Sequence, residues 1–126
     1  MDSKALNILL VEDEAMNAMF FKMVLTKAGH SVNKVVGTGE DAVSSANEER
    51  PDLILMDIRL AGKMDGIEAA EIIKANFDIP IIFMTGYQDT GHMERARLLN
   101  PIKYFIKPIN TQDLLSSINS AFKKIK

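Results

Sequence analysis

Five side chains of this sequence stand where chemistry is possible: Glu12, Asp13, Asp57, Thr85 and Lys107. Each ends or follows a short apolar run. Asn7-Ile8-Leu9-Leu10-Val11 leads into the two acids, Leu53-Ile54-Leu55-Met56 into Asp57, Pro80-Ile81-Ile82-Phe83-Met84 into Thr85, and Ile102-Lys103-Tyr104-Phe105-Ile106 into Lys107-Pro108. The first three are continuous apolar runs bounded by turn signals and read as buried strands; the last reads as a further strand, and open α/β sheets bind their ligands at the carboxyl ends of their strands. Carboxylates gathered there repel one another, a cost that a divalent cation removes; hard oxygen donors suit Mg²⁺, which keeps several waters and takes one or two carboxylates. A hydroxyl and an ammonium beside them can hydrogen-bond phosphoryl oxygens and offset their charge. Carboxylate, cation, hydroxyl and lysine are together the parts for moving a phosphoryl group onto an aspartate. Taken singly, each group has a structural alternative. Asp57 could brace a turn or cap a helix, Glu12 and Asp13 could favour a helix dipole, Thr85 could cap, and Lys107 could lie along apolar surface. Their joint occurrence at strand ends is what favours the chemical reading.

The intervening segments read as helices. Ala15 to Ala28 carries Met16, Met19, Phe20, Met23 and Val24 at helical spacing, and Gly29 stops the helix. Ser31 to Val36 is a partly alternating strand suited to a sheet edge, and Gly37-Thr38-Gly39 breaks the chain before a small-residue helix from Glu40 to Arg50, ended by Pro51. Gly66 opens a helix over 67–77. A short helix through Leu98 and Leu99 contains Gly91, and Thr111 is the expected N-cap of a last helix, Gln112 to about Lys124. His30 and His92 fall in turn-like segments and read as surface residues. Five alternations of strand and helix imply right-handed βαβ units and a parallel sheet covered on both faces. The expected fold is therefore α/β, a flavodoxin-like doubly wound five-stranded parallel sheet in the order 2-1-3-4-5, with five helices in a single domain spanning 1–126.

Bulk properties narrow the function classes. A chain of 126 residues fits one domain, since domains commonly run to about 100–150 residues. The lack of Cys excludes disulfides, zinc-thiolate sites and thiol nucleophiles. A net charge of −2 gives no field that argues for nucleic acid, and the basic Lys123-Lys124-Ile125-Lys126 fits the end of a helix. No apolar run approaches the roughly 20 residues of a membrane span, and no secretory signal is visible. A cytoplasmic location is the default expectation.

At this point the sequence resembles the response-regulator receiver domain, in particular its stand-alone, chemotaxis-regulator-like single-domain kind. The resemblance runs nearly end to end, on Leu10-Val11-Glu12-Asp13-Glu14, Asp52-Leu53-Ile54-Leu55-Met56-Asp57, Met64-Asp65-Gly66, Met84-Thr85-Gly86 and Tyr104-Phe105-Ile106-Lys107-Pro108. It implies that Asp57 is the phosphoacceptor, that Asp13 ligates Mg²⁺ with Glu12 supporting through water, and that the Arg59 carbonyl is a further ligand. Thr85 and Lys107 would hold phosphoryl oxygens, with the Lys107-Pro108 bond cis. Tyr104 would be the aromatic switch, turning inward as Thr85 moves and reshaping the face of the fourth helix, fifth strand and fifth helix. Arg59 and Tyr87, each two residues beyond a key position, would modulate dephosphorylation, a bulky pair screening the attacking water. Two departures stand out: the Asp57–Asp65 loop, with Gly62-Lys63, is one residue longer than the commonest pattern, and Leu99-Asn100-Pro101-Ile102 replaces the usual small pair before the fifth strand.

The resemblance further implies a phosphorelay switch. A sensor histidine kinase or histidine phosphotransfer protein would be the donor and a downstream protein the partner, with no nucleic acid, no membrane insertion and a homodimer allowed. Such a chain would catalyse only its own phosphorylation and dephosphorylation. An aspartate-nucleophile phosphohydrolase is the rival enzyme, but it wants a second acid two residues after the nucleophile, where Arg59 stands. A flavodoxin-like binder is disfavoured because acids, not a glycine-rich phosphate loop, end the first strand. A receiver-shaped interaction module that is never phosphorylated is disfavoured by the complete acid, threonine and lysine set.

Overall fold

The computed structural model describes residues 5–86 and 90–122. Ten elements alternate along the chain: β1 (Asn7–Val11), α1 (Ala15–Lys27), β2 (Ser31–Val36), α2 (Gly39–Glu49), β3 (Leu53–Asp57), α3 (Gly66–Asn76), β4 (Ile81–Thr85), α4 (Thr90–Arg97), β5 (Lys103–Ile106) and α5 (Thr111–Ala121). The strands form one parallel sheet in the order β2-β1-β3-β4-β5, as expected from the sequence.

Strand alternation splits the core into two layers. Leu9, Val11, Ile54, Met56 and Phe83 pack on one face with Ala42 and Ala46 of α2, Ile67, Ala70 and Ile73 of α3, and Ala96 of α4. Ile8, Leu10, Leu53, Leu55, Ile82 and Met84 pack on the other with Ala18, Phe21 and Leu25 of α1 and Leu114 and Ile118 of α5. β3 and β4 are buried at every position, which is why they read as unbroken apolar runs.

Local chemistry sets the helix boundaries. The α3 start is a capping box: Glu68 N–H donates to Asp65 Oδ1 at 2.8 Å and Asp65 N–H to Glu68 Oε1 at 2.9 Å, a device worth about 1 kcal/mol. Gly66 follows because the chain doubles back on β3. A Cβ there would collide with the Asp57 carbonyl oxygen, whereas Gly66 N–H donates to Ile58 O at 2.8 Å. Gly29 ends α1 with φ +100, a left-handed conformation suited to glycine. The short α4 does form through Gly91.

Two expectations need correction. The α5 N-cap is Asn110, whose Oδ1 accepts from Asp113 N–H at 3.1 Å; Thr111 is the first helical residue. Most of the apolar residues that mark α1 in the sequence lie on its outer face. Met16 and Met19 are 80% and 72% exposed, and Phe20 and Met23 are exposed too, while Ala18, Phe21 and Leu25 face the sheet. His30 is not at the surface but buried beneath the amino end of β1, where its Nδ1 accepts the Leu6 N–H at 3.1 Å. His92 is half-buried on α4. The basic 123–126 segment lies outside the described residues. Among the described residues no helix is long and apolar enough to cross a membrane.

Burial holds the His30 imidazole below its ordinary 6.5, and an Nδ1 that accepts cannot also carry a proton. Protonation therefore favours the unfolded chain. Stability should be full above pH 6.5 and fall as the pH drops below it. In urea titrations, His30→Gln is expected to abolish that part of the loss between neutral and mildly acidic pH; an unchanged pH slope would contradict the assignment.

Candidate functional site

Strand register brings the five side chains to one end of the sheet. Val11 pairs with Met56, so the next residues, Glu12 and Asp57, are level on adjacent strands. Asp57 pairs with Met84 and Thr85 with Ile106, so Thr85 and Lys107 each lie one step further along. Alternation then decides the face. Glu12 continues the parity of Ile8 and Leu10, Asp57 that of Leu53 and Leu55, and Lys107 that of Phe105, all in the layer packed by α1 and α5. Thr85 continues the parity of Phe83, and Tyr104 packs in the same layer as Phe83, on the α3/α4 side.

The result is an open cleft of roughly 440 Å³ lined by Glu12, Asp13, Asp57, Arg59, Gly86 and Lys107, among others. Lys107 Nζ donates to Asp57 Oδ2 at 2.7 Å and to Glu12 Oε1 at 3.0 Å. Asp57 Oδ1 accepts the Arg59 N–H at 3.2 Å, and Glu12 Oε2 accepts the Glu14 N–H at 3.2 Å. Glu12 and Asp57 are only 3% and 4% exposed, whereas Asp13 faces solvent. The Lys107–Pro108 bond is cis.

One ammonium serves two buried carboxylates, and the proton affinities reflect it. Burial alone would lower Lys107, but its bonds to Asp57 and Glu12 outweigh that and hold it above its ordinary value. Glu12 is nonetheless pushed up, first by burial; the Lys107 bond opposes the rise and the nearby Asp57 adds to it. The two directions are consistent if Lys107 cannot fully compensate both acids, leaving an excess of negative charge. Carboxylate oxygens of Glu12, Asp13 and Asp57 lie within 4.8 Å of one another. An all-oxygen, net-negative set open to water fits a hard divalent cation such as Mg²⁺.

Glu12, Asp13, Asp57, Arg59 and Lys107 thus converge. Thr85 is fully buried at the end of β4, one residue before Gly86, which does line the cleft. Tyr104 is half-buried with its hydroxyl oxygen inside the protein, so its inward position is the one held here. Tyr87 lies outside the described residues. Asn17 was not anticipated: it lines the cleft from the first turn of α1 and donates from Nδ2 to Glu14 Oε1 at 2.6 Å. Its spacing of four from Asp13 was the available signal. The long loop after Asp57 is also defined, with Ala61 bridging to Thr38 and Gly62 at φ +89.

With this geometry in hand, comparison decides the family: the response regulator receiver domain matches residues 8–119. The chain belongs to the receiver-domain family. Receiver domains are components of two-component response regulators and act as signalling switches, not as enzymes that turn over an external substrate. The chain is 32% identical over 119 residues to the transcriptional regulatory protein PdtaR of Mycobacterium tuberculosis, covering 94% of this chain and 58% of that one. It is 37% identical over 116 residues to the luminescence regulatory protein LuxO of Vibrio campbellii, covering 91% of this chain and 25% of LuxO. The chain therefore spans little more than half, or less, of these relatives. Among solved structures, the signal receiver domain of a modulated diguanylate cyclase from Desulfovibrio desulfuricans superposes with a TM-score of 0.87 at 38% identity, over 94% of both chains. A CheY-like receiver domain from Methanospirillum hungatei gives 0.85 at 27% identity, also over 94% of both.

Asp13 is the surplus charge of the acidic set, since Lys107 contacts the other two. Asp13→Ala is expected to raise the melting temperature in chelator by the equivalent of about 0.5 kcal/mol, the scale of exposed charge interactions. It should also remove the stabilisation that Mg²⁺ gives the wild type. Thermal melts with and without Mg²⁺ check both halves, and a lowered melting point in chelator would count against the reading.

Proposed function

We propose that this receiver domain is a phosphoacceptor switch in which Asp57 takes a phosphoryl group from a protein-borne phosphohistidine. The observation that carries the reading is the Lys107 ammonium, 2.7 Å from Asp57 and 3.0 Å from Glu12, at the rim of a three-carboxylate cleft. An Asp57 oxygen attacks phosphorus as the P–N bond to the donor imidazole breaks, and the imidazole leaves with the bonding pair and is protonated. Mg²⁺, held by Asp13, Asp57 and the Arg59 carbonyl with Glu12 acting through water, would supply charge neutralisation for the transferring group. Lys107 exchanges its bond to Asp57 for one to a phosphoryl oxygen, and the Arg59 N–H remains at the acyl side of the aspartate. The Thr85 hydroxyl moves toward another phosphoryl oxygen. Because Thr85 continues the parity of Phe83, which packs with Tyr104, that movement stabilises the inward Tyr104 over outward alternatives and with it one arrangement of the α4–β5–α5 face presented to a downstream partner. Arg59, which lines the cleft, flanks the acyl phosphate and slows its hydrolysis.

The donor is a histidine kinase or a histidine phosphotransfer protein. The acid cleft continues, through shared Asn17 and Lys107, into an apolar groove of roughly 420 Å³ lined by Phe20, Phe21, Pro108 and Ile109. Next to it stand Met16, Met19 and Met23, exposed thioethers of a kind suited to adaptable protein contacts. A donor presenting its phosphohistidine over the cleft would cover this face.

Acetyl phosphate bypasses the need for a cognate donor. Incubated with it in Mg²⁺, the wild type should gain one PO₃ unit by mass spectrometry, mapped to Asp57, and Asp57→Asn or wild type in chelator should gain none. Equal labelling of Asp57→Asn would refute the assignment.

A further inference from the structure

The β2–α2 turn, Gly37-Thr38-Gly39, touches both halves of the cation pocket. On one side, a Cβ at Gly37 would lie 3.3 Å from Asp13 Cα and 3.5 Å from Asp13 Cβ. On the other, a Cβ at Gly39 would lie 2.9 Å from Met64 Cβ and 3.0 Å from Met64 O, within the loop that leaves Asp57. Thr38 between them forms the isolated parallel bridge to Ala61 of that loop, and its Oγ1 caps α2 by accepting Asp41 N–H at 3.0 Å. Glu12 N–H donates to Val36 O at 2.9 Å just before the turn. The turn is thus anchored to α2 and wedged between the segment carrying Asp13 and the segment carrying Arg59.

We infer that Gly37-Thr38-Gly39 is a positioning element for the cation site, setting the distance between Asp13 and the Arg59–Met64 loop on either side of Asp57. Asp13 is exposed, so its carboxylate takes its place from the backbone beneath it, and that backbone rests on Gly37 without a side chain between. A methyl group at Gly37 displaces Asp13 by a few tenths of an ångström, and Mg²⁺ tolerates little departure from octahedral geometry. The one-residue-longer loop after Asp57 is accommodated in the same way, by pairing with Thr38 and packing on Gly39. This inference rests on the proposed reading of Asp13 and Asp57 as cation ligands.

The test measures Mg²⁺ binding by isothermal titration calorimetry beside melting in chelator, for wild type, Gly37→Ala, Met64→Ala and Gly29→Ala. Gly37→Ala should weaken Mg²⁺ binding about tenfold, the loss typical of residues that orient a metal ligand. Met64→Ala, which loosens the loop without a clash, should weaken binding in the same direction and decides the matter if Gly37→Ala does not fold. Gly29→Ala strains a left-handed position at the far end of the sheet with open space around it, so it should lower the melting point and leave Mg²⁺ affinity unchanged. Wild-type affinity in both Gly37→Ala and Met64→Ala, or an equal loss in Gly29→Ala, overturns the inference while leaving the phosphoacceptor reading intact. A wild type that binds no Mg²⁺ overturns the cation reading itself.

Discussion

The Lys107 ammonium, shared by two carboxylates that the fold has taken out of water, is the interaction on which the rest of this structure depends. Glu12 comes from the end of β1, Asp57 from the end of β3 and Lys107 from the end of β5, so the contact ties together three strands of the sheet. Burying either carboxylate alone would be costly, and pairing each with its own cation would leave no excess charge to attract a ligand. Sharing one cation between two acids keeps the site folded and electrostatically incomplete. Lys107 held above its ordinary value and Glu12 pushed above its own are two sides of that arrangement. On the proposed reading, a divalent cation or a phosphoryl group entering the cleft would meet a site whose charges are already arranged for it.

The pleat of the sheet gives the arrangement its second property. Successive residues face opposite layers, so the charged groups collect on the α1/α5 side while Thr85 and Tyr104 belong to the α3/α4 side. The groups proposed to do the chemistry and those proposed to respond to it are adjacent along the strands but packed against different helices. On the α3/α4 side, Arg95 of α4 lies 3.8 Å from Asp65 and 3.7 Å from Glu71. These partly exposed pairs are worth at most about 1 kcal/mol. The buried Ala96 anchors α4 to the core, and the Arg95 pairs add only a little to that hold.

Much of this was legible in the chain because burial on both faces leaves no alternation to confuse β1, β3 and β4, because the acids and threonine sit at the ends of those runs, and because Lys107 follows β5 directly. The outer face of α1 was not legible. Met16, Met19, Phe20 and Met23 form as good an apolar stripe as Ala18, Phe21 and Leu25, and periodicity cannot rank two stripes on a helix that is apolar nearly all round. The core took the compact stripe and left the methionines outside, where the proposed donor would lie. His30 read as a surface residue because its role is set by Leu6, a residue 24 positions away whose N–H it accepts. Asn110 and Thr111 are both good caps, and only the backbone turn chooses between them. The division of labour between the sheet faces was implicit in residue parity, but it needed the register to become visible.

The central claim is that Lys107 serves as the built-in counter-cation of Glu12 and Asp57, in partial competition with a divalent ion. Urea unfolding of Lys107→Met against wild type, each with and without saturating Mg²⁺, tests it most directly. Without Mg²⁺ the variant should lose about 3 kcal/mol, the scale for removing one partner of a buried ion pair, and Mg²⁺ should restore a larger share of stability to the variant than it adds to the wild type. A loss of the same size with and without Mg²⁺, or no loss at all, would contradict the account.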